Sequence, residues 1–418
     1  MYELESIAVI LSIVCWIPLL YASFIQHRSK QVQTAESLSK RVESVFSEKL
    51  RPDPLPSLTT EVLPNYHDRP WRPFRWPYHQ TMSIFKLDIN HWLDMDKYYK
   101  RYINEKQLVF QEHVDETISW LDDSQDACEE LLDVVVYHLT TRYPKLFEEV
   151  RNEKGTFVHN LILDRYVPVS KPYVKHPLYL ISELAKEDFY VVKKRADGLH
   201  YLVAAAVPFP GGSFNIKDKM GKHLDVIHEG VPYYSEKLQA SMERWFGKLK
   251  VEEPVERATY DITWDHGLFT NKLYESDDNG IELKEPIPYE KFNVRIERQT
   301  LRRLPKSQAI IFTNHPIFYS VEEMKDEPMI PSIIRKHMEE APQAIAVYKS
   351  FDKIKGLLLP YIKRLEERQL ELGIISEGDP VRTRSTYPFA DWIGSSSAVD
   401  GWSNNFGSNN LSNSYTSN

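Results

Sequence analysis

The chain has 418 residues, of which 42% are hydrophobic and 27% charged, and its formal net charge is −8. That size suits one large domain or two smaller ones, and the absence of any long basic block excludes an electrostatic footprint for nucleic acid. The only two cysteines, Cys15 and Cys128, exclude a disulfide framework and a cysteine-rich zinc site, and they fit a reducing compartment for the folded part.

Ser6 to Ile25 is a run of twenty residues without a charge. That length spans a bilayer core. Glu3 and Glu5 precede the run, while His27, Arg28 and Lys30 follow it. A cleavable signal would carry its positive charges in front. The pattern predicts a single transmembrane helix with the body on the cytoplasmic side, most simply at the endoplasmic reticulum. Residues 1–30 are thus expected as an anchor and 31–64 as a polar, proline-rich spacer, with a helix over Ala35 to Leu50. Between Pro52 and Pro77 the prolines forbid helix and central strand, so an extended arm is expected. Its Trp71, Phe74, Trp76 and Tyr78 predict that it packs onto the body.

The body is expected over residues 65–375. Residues 90–150 read as two helices, the second with Ala127, Leu131, Leu132, Val135 and Leu139 at helical spacing. Leu178 to Lys186 reads as a short helix. FYVVKK and HYLVAAAVPF, joined through Ala196-Asp197-Gly198, read as a hairpin, and PFPGG ends it. Ile216, Met220, Leu224 and Ile227 share one face of an expected helix over 216–231, followed by a helix from Ser235 to Leu249. Ala258 to Trp264 is an expected strand. Residues 292–315 predict a long hairpin turning at Pro305-Lys306-Ser307. Residues 328–370 are expected to be helical, and the Ser/Asn/Gly-rich tail 394–418 disordered. The fold class is therefore α+β: an antiparallel sheet of about five strands flanked by helices.

Two segments carry candidate chemistry. In the long hairpin, Val294, Ile296, Arg298 and Thr300 alternate with Arg295, Glu297 and Gln299. Arg298 lies among apolar neighbours on the face expected to be buried, so it must meet an anion: a structural counter-ion or a ligand. In the helix over 216–231, His223 falls on the apolar face and His228 near the end. A histidine there either ligates a heme iron, works as an acid or base, or caps the helix. Cys128 sits beside Glu129 and Glu130 and makes a poor thiolate ligand. Phosphate loops, HExxH, GxSxG and EF-hand loops are absent from the sequence.

Four patches together resemble the heme-dependent oxidative N-demethylase-like (HRQ) family, most closely its fungal branch. They are RPFRWPYHQTMSIFKLDINHWLDMDKYY (72–99), KEDFYVVKK with VPFPGG (186–212), KMGKHLDVIHEGVPYY (219–234) and RIERQTLRRLPKSQAIIFT (295–313). The resemblance implies a PAS-like fold holding heme b. It implies oxidation of the N-methyl group of a small organic amine by O2, with formaldehyde released. It implies His228 as the axial iron ligand, with His223 as the fallback. Arg298 and Arg257 are implied as cofactor contacts. Arg298, Glu297 and Thr313 are implied as catalytic residues, Arg298 pairing with Glu297 or Glu187. The sequence departs from the family at Thr259-Tyr260, where an Asn-Trp pair is more usual. It departs again at Asn314-His315-Pro316, where the family continues with an arginine-bearing strand. No flavin or iron–sulfur motif is present, so a separate reductase is expected to supply electrons. A heme sensor or carrier, and a heme-free interaction protein, remain as alternatives from other classes.

Overall fold

The computed structural model describes residues 46–67, 69–211, 214–264, 267–269 and 288–390. Besides the single turn Val114–Thr117, the α-helices among the described residues, in chain order, are α1 (Tyr99–Glu112), α2 (Gln125–Arg142), α3 (Pro177–Ser182), α4 (Ile216–Lys219), α5 (Leu224–Ile227), α6 (Gln239–Lys248), α7 (Ile330–Glu340), α8 (Gln343–Tyr348) and α9 (Phe351–Glu371). The strands are β1 (Phe85–Lys86), β2 (Ile118–Trp120), β3 (Phe147–Asn152), β4 (Gly155–Asn160), β5 (Arg165–Pro168), β6 (Asp188–Lys194), β7 (His200–Ala206), β8 (Val255–Thr263), β9 (Asn293–Arg303) and β10 (Ile310–Ser320).

The architecture is α+β, with a large antiparallel sheet flanked by helices. Its seven strands run in the order β1-β8-β9-β10-β6-β7-β2, two more than expected, and β3-β4-β5 form a separate three-stranded sheet. The short β1 and β2 carry too little alternation to be visible in sequence. The long hairpin is as predicted, with Arg298 opposite His315 and Thr300 opposite Thr313. Its turn is held by Glu130 of α2, whose two carboxylate oxygens accept from the backbone N–H groups of Lys306 (2.8 Å) and Ser307 (2.7 Å).

Antiparallel register sorts side chains onto two faces. Glu256, Ala258, Tyr260, Val294, Ile296, Arg298, Thr300, Ile311, Thr313 and His315 share one face. Helices α1, α2 and α3 pack against one half of it, and α7, α9 and the arm residues Trp71 and Phe74 against the other. Arg257, Thr259, Gln299, Glu297, Leu301, Ile310, Phe312, Tyr190 and Val192 share the opposite face. The segment carrying α4, α5 and α6 lies across it through Ile216, Leu224, Tyr234, Leu238, Met242 and Phe246. β9 is thus buried on both sides, so its alternation does not separate core from solvent.

The expected single helix over 216–231 is two one-turn helices. Gly221 takes φ +74° between them, which ends the first and redirects the chain. The predicted arm does pack: Trp71 and Phe74 are buried, and Arg72 is paired through Nε (2.8 Å) and Nη2 (2.6 Å) with Glu327. Of the helix expected over 35–50, Glu48–Leu50 forms one 3-10 turn after a non-helical Phe46-Ser47, and residues 35–45 lie outside the described residues. The tail 394–418 also lies outside them. So does the apolar run 6–25. Among the described residues no helix is long and apolar enough to cross a membrane. The expected single-pass membrane localisation is corrected accordingly.

Arm, sheet and helix layer meet at one ionic cluster. Glu256 accepts two hydrogen bonds from Arg69 (3.0 and 2.7 Å) and one from Arg298 (3.2 Å). Asp94 stands 3.5 Å from Arg69 and 3.6 Å from Arg298. All four groups are buried. Burial alone would raise the Asp94 carboxyl, but the charges of His91, Arg298 and Arg69 hold it well below the usual range.

Glu256→Gln should cost about 3–5 kcal/mol, because it leaves two buried guanidinium groups short of a counter-charge; urea unfolding of the purified protein measures it. A second test concerns His337. Its Nδ1 accepts from the Tyr260 hydroxyl, and its Nε2 donates to the Arg75 carbonyl (2.6 Å). Burial lowers its pKa from 6.5 to about 4. The neutral ring is the form the fold favours, so its contribution is whole above pH 6.5 and lost as the pH falls through about 4. That loss should reach roughly 3 kcal/mol. A series of unfolding curves between pH 7 and 4 should show it, with a shallower slope in His337→Gln.

Candidate functional site

His228 closes α5 at its C-cap, and its local geometry is set by two contacts. Nδ1 donates to the carbonyl of Leu224 at 2.8 Å, which fixes the tautomer with the proton on Nδ1. Its ring lies parallel to that of Tyr234, with centroids 5.2 Å apart and planes 12° from each other. Nε2 has no hydrogen-bond partner among the described residues and carries a free lone pair. Burial lowers the His228 pKa, and the charges of Arg257 and Lys219 add to the effect against the Leu224 bond. The ring is therefore neutral at pH 7, as a metal ligand must be.

Arg257 sits on the sheet face that the His228 segment covers. It is half-buried, its Nε is sealed from solvent without a hydrogen-bond partner, and among the described residues none of its nitrogens pairs with a carboxylate. Burial depresses its pKa, as expected for a cation without a counter-ion; the nearest groups acting on it are Tyr387, Tyr348, Tyr78 and Arg75. Along the same strand Lys349 bonds Thr259 (3.1 Å) and pairs with Asp261 (3.3 Å). The partly exposed apolar side chains Met82, Phe214, Ile227, Val231, Val255 and Phe312 complete the layer between sheet and segment. A cavity of about 500 Å³ opens beside it, lined by Arg75, Tyr78, Tyr233 and Lys237 among others.

The structure does not bring together all the residues singled out from sequence. Arg298 faces the opposite side of the sheet from His228. Its guanidinium is occupied by Glu256, by Asp94 and by the backbone carbonyls of His91 and Trp92. The expected pairing of Arg298 with Glu297 is corrected, because neighbouring residues of a strand point to opposite faces; the charge of Arg298 acts on the buried Glu187, against the effect of burial. Glu297 pairs instead with Arg295 (2.5 Å) and accepts from Asn314 (2.5 Å). Arg295 also donates to the carbonyls of Phe209 and Pro210, drawing the PFPGG loop over this pair. A Cβ on Gly211 would stand 2.6 Å from a Glu297 oxygen, so only glycine fits that approach. Thr313 lies with Arg298, its hydroxyl 2.6 Å from that of Thr300. His223 is the N-cap of α5, bridged to Tyr201 of β7 and 3.8 Å from Asp225.

The departures at 314–316 fall on different faces. His315 points away from His228, against the Tyr102 ring at 4.8 Å. Asn314 and Pro316 fall on the face of Glu297, whose carboxylate Asn314 serves. Of the tyrosines around Arg257, Tyr78 was singled out from sequence only as a packing residue of the arm, and Tyr348 and Tyr387 not at all; they come from the arm, the α8 end and the C-terminal segment, and no spacing links them.

These residues fit a heme. A heme iron would need one neutral nitrogen ligand with a free lone pair, a form that His228 Nε2 has. The porphyrin carboxylates need a cation that the protein leaves uncompensated, and Arg257 is one. Among the described residues no group of three or more His, Cys, Asp or Glu could hold a bare metal ion, which a single axial ligand does not require. Residues 83–359 match the family described as haem-dependent oxidative N-demethylase, alpha subunit-like. The match covers well over half of the chain, and the chain belongs to that family.

Arg257→Leu should raise the stability of the heme-free protein by about 1 kcal/mol or more, the reverse of Glu256→Gln, since it removes an uncompensated cation. The same substitution should weaken heme binding; thermal unfolding and heme titration measure the two effects.

Proposed function

From that membership we propose that this chain binds heme b between the His228 segment and the Arg257 face of its sheet, and that it oxidises the N-methyl group of a small amine. The observation that carries the reading is the pairing of two groups on facing elements that are incomplete among the described residues: a histidine with a free, unprotonated Nε2 and an arginine without an anion. The antiparallel sheet with a helical segment laid across one face supports a PAS-like reading of the fold.

When bound, heme supplies the oxygen chemistry. Overall, one atom of O2 enters the methyl carbon, whose C–N bond then breaks to give formaldehyde and the demethylated amine. The other atom leaves as water, and two electrons and two protons are consumed. Those electrons come, in this proposal, from a separate reductase. The protein's own residues do the rest. His228, held neutral by Leu224, orients the ligating nitrogen. Arg257 neutralises a carboxylate. Ile227, Val231 and Phe312 keep water from the layer, which strengthens every polar contact inside it. The amine's identity follows from the pocket walls rather than from the fold.

The test is an absorption spectrum of the full chain produced in heme-replete cells. A Soret band is expected in the parent and should be lost or shifted in His228→Ala, with Arg298→Lys leaving its position unchanged. A folded parent without heme would sink the reading. A heme-loaded parent that releases no formaldehyde from any methylated amine, with reductase and O2 present, would leave a sensor or carrier in its place.

A further inference from the structure

Resting on the reading of His228 as an iron ligand, we infer that Tyr234 and Asp225 are positioning residues that fix the rotation of the His228 ring. The Leu224 carbonyl fixes which nitrogen carries the proton. A single hydrogen bond still allows the imidazole to rock about the Nδ1–oxygen line, and a ligand nitrogen must be held to a fraction of an ångström. The parallel Tyr234 ring removes that freedom from one side.

Tyr234 is itself anchored. It is buried, and its hydroxyl donates to Asp225 Oδ1 at 2.8 Å. Asp225 Oδ2 accepts from Gln239 Nε2 at 2.8 Å, so α6 braces the carboxylate. Asp225 follows Leu224 directly in α5. One turn of helix therefore presents both restraints on His228, the carbonyl from Leu224 and the brace for Tyr234 from Asp225. Tyr233, immediately before Tyr234, takes φ +59°, a left-handed conformation that costs a tyrosine energy. This turn redirects the chain between the 230–232 loop and Tyr234.

The chain of contacts has an electronic consequence besides a geometric one. A carboxylate that accepts from the phenol makes the ring stacked on His228 more electron-rich. Its charge also lies on the ligand side of the iron. Both effects favour the ferric state.

The experiment uses the full chain loaded with heme, in four variants: Tyr234→Leu, Tyr234→Phe, Asp225→Asn and His228→Ala. Tyr234→Leu is expected to lower heme affinity about tenfold or more and to broaden the ferric electron-paramagnetic-resonance signal, because the ring rotates. Tyr234→Phe keeps the stack and should restore most of the affinity, and its apo-protein melting temperature reports that folding is intact. Asp225→Asn should retain histidine ligation and shift the iron potential upward. Parent-like affinity and resonance signal in Tyr234→Leu, while His228→Ala loses the heme, would overturn the inference and leave the ligand assignment standing. A parent-like spectrum in His228→Ala would overturn both. A merely structural Tyr234 would lower the melting temperature without moving the resonance signal or the potential, and that result would also overturn it.

Discussion

Everything in this fold depends on finding counter-charges for arginines that the sheet carries into its interior. β9 is covered on both faces, so each guanidinium it bears must meet a carboxylate, a carbonyl or an aromatic ring inside the fold. Arg298 is answered by Glu256 of β8 and Asp94 ahead of α1. Glu256 in turn answers Arg69 of the arm. Arg295, on the other face, is answered two residues along its own strand by Glu297. These pairs fix how the arm, the strands and the helices are registered, because a displacement of any one would leave a charge alone in a dry layer.

Arg257 lies one residue beyond Glu256 in β8, on the opposite face, and no carboxylate among the described residues pairs with it. Arg302 of β9 is also buried without a carboxylate among the described residues, but it lies on the opposite face from Arg257, against the Trp92 ring at 4.2 Å. Arg257 instead faces the segment of His228, whose ring is held by the Leu224 carbonyl and stacked on Tyr234.

Much of this was legible in the residues. The alternation of 292–315 gave the hairpin and its turn, and helical spacing gave α2. Asp197-Gly198 gave the β6-β7 turn, and the aromatic prolines of the arm gave its packing. The motif around Ile227-His228 carried the candidate ligand. What failed has identifiable causes. Gly221 in a left-handed conformation breaks a pattern whose apolar spacing alone reads as continuous helix. Strands of two or three residues leave no periodicity. Glu297 adjoins Arg298 in sequence, yet strand geometry sends the two to opposite faces, so adjacency suggested a pair that the fold forbids.

The sequence by itself therefore determined the elements, the fold class and the family, because those rest on local spacing and on runs of residues that stay together. It also determined that β9 would need anions. Only the tertiary structure decided which arginine is supplied and which is left waiting. The partners of Arg298 and Arg69 come from segments up to 207 residues away, and the choice between Arg298 and Arg257 as the ligand-facing cation is a choice of sheet face. A face has no meaning until the layers on either side of it have packed.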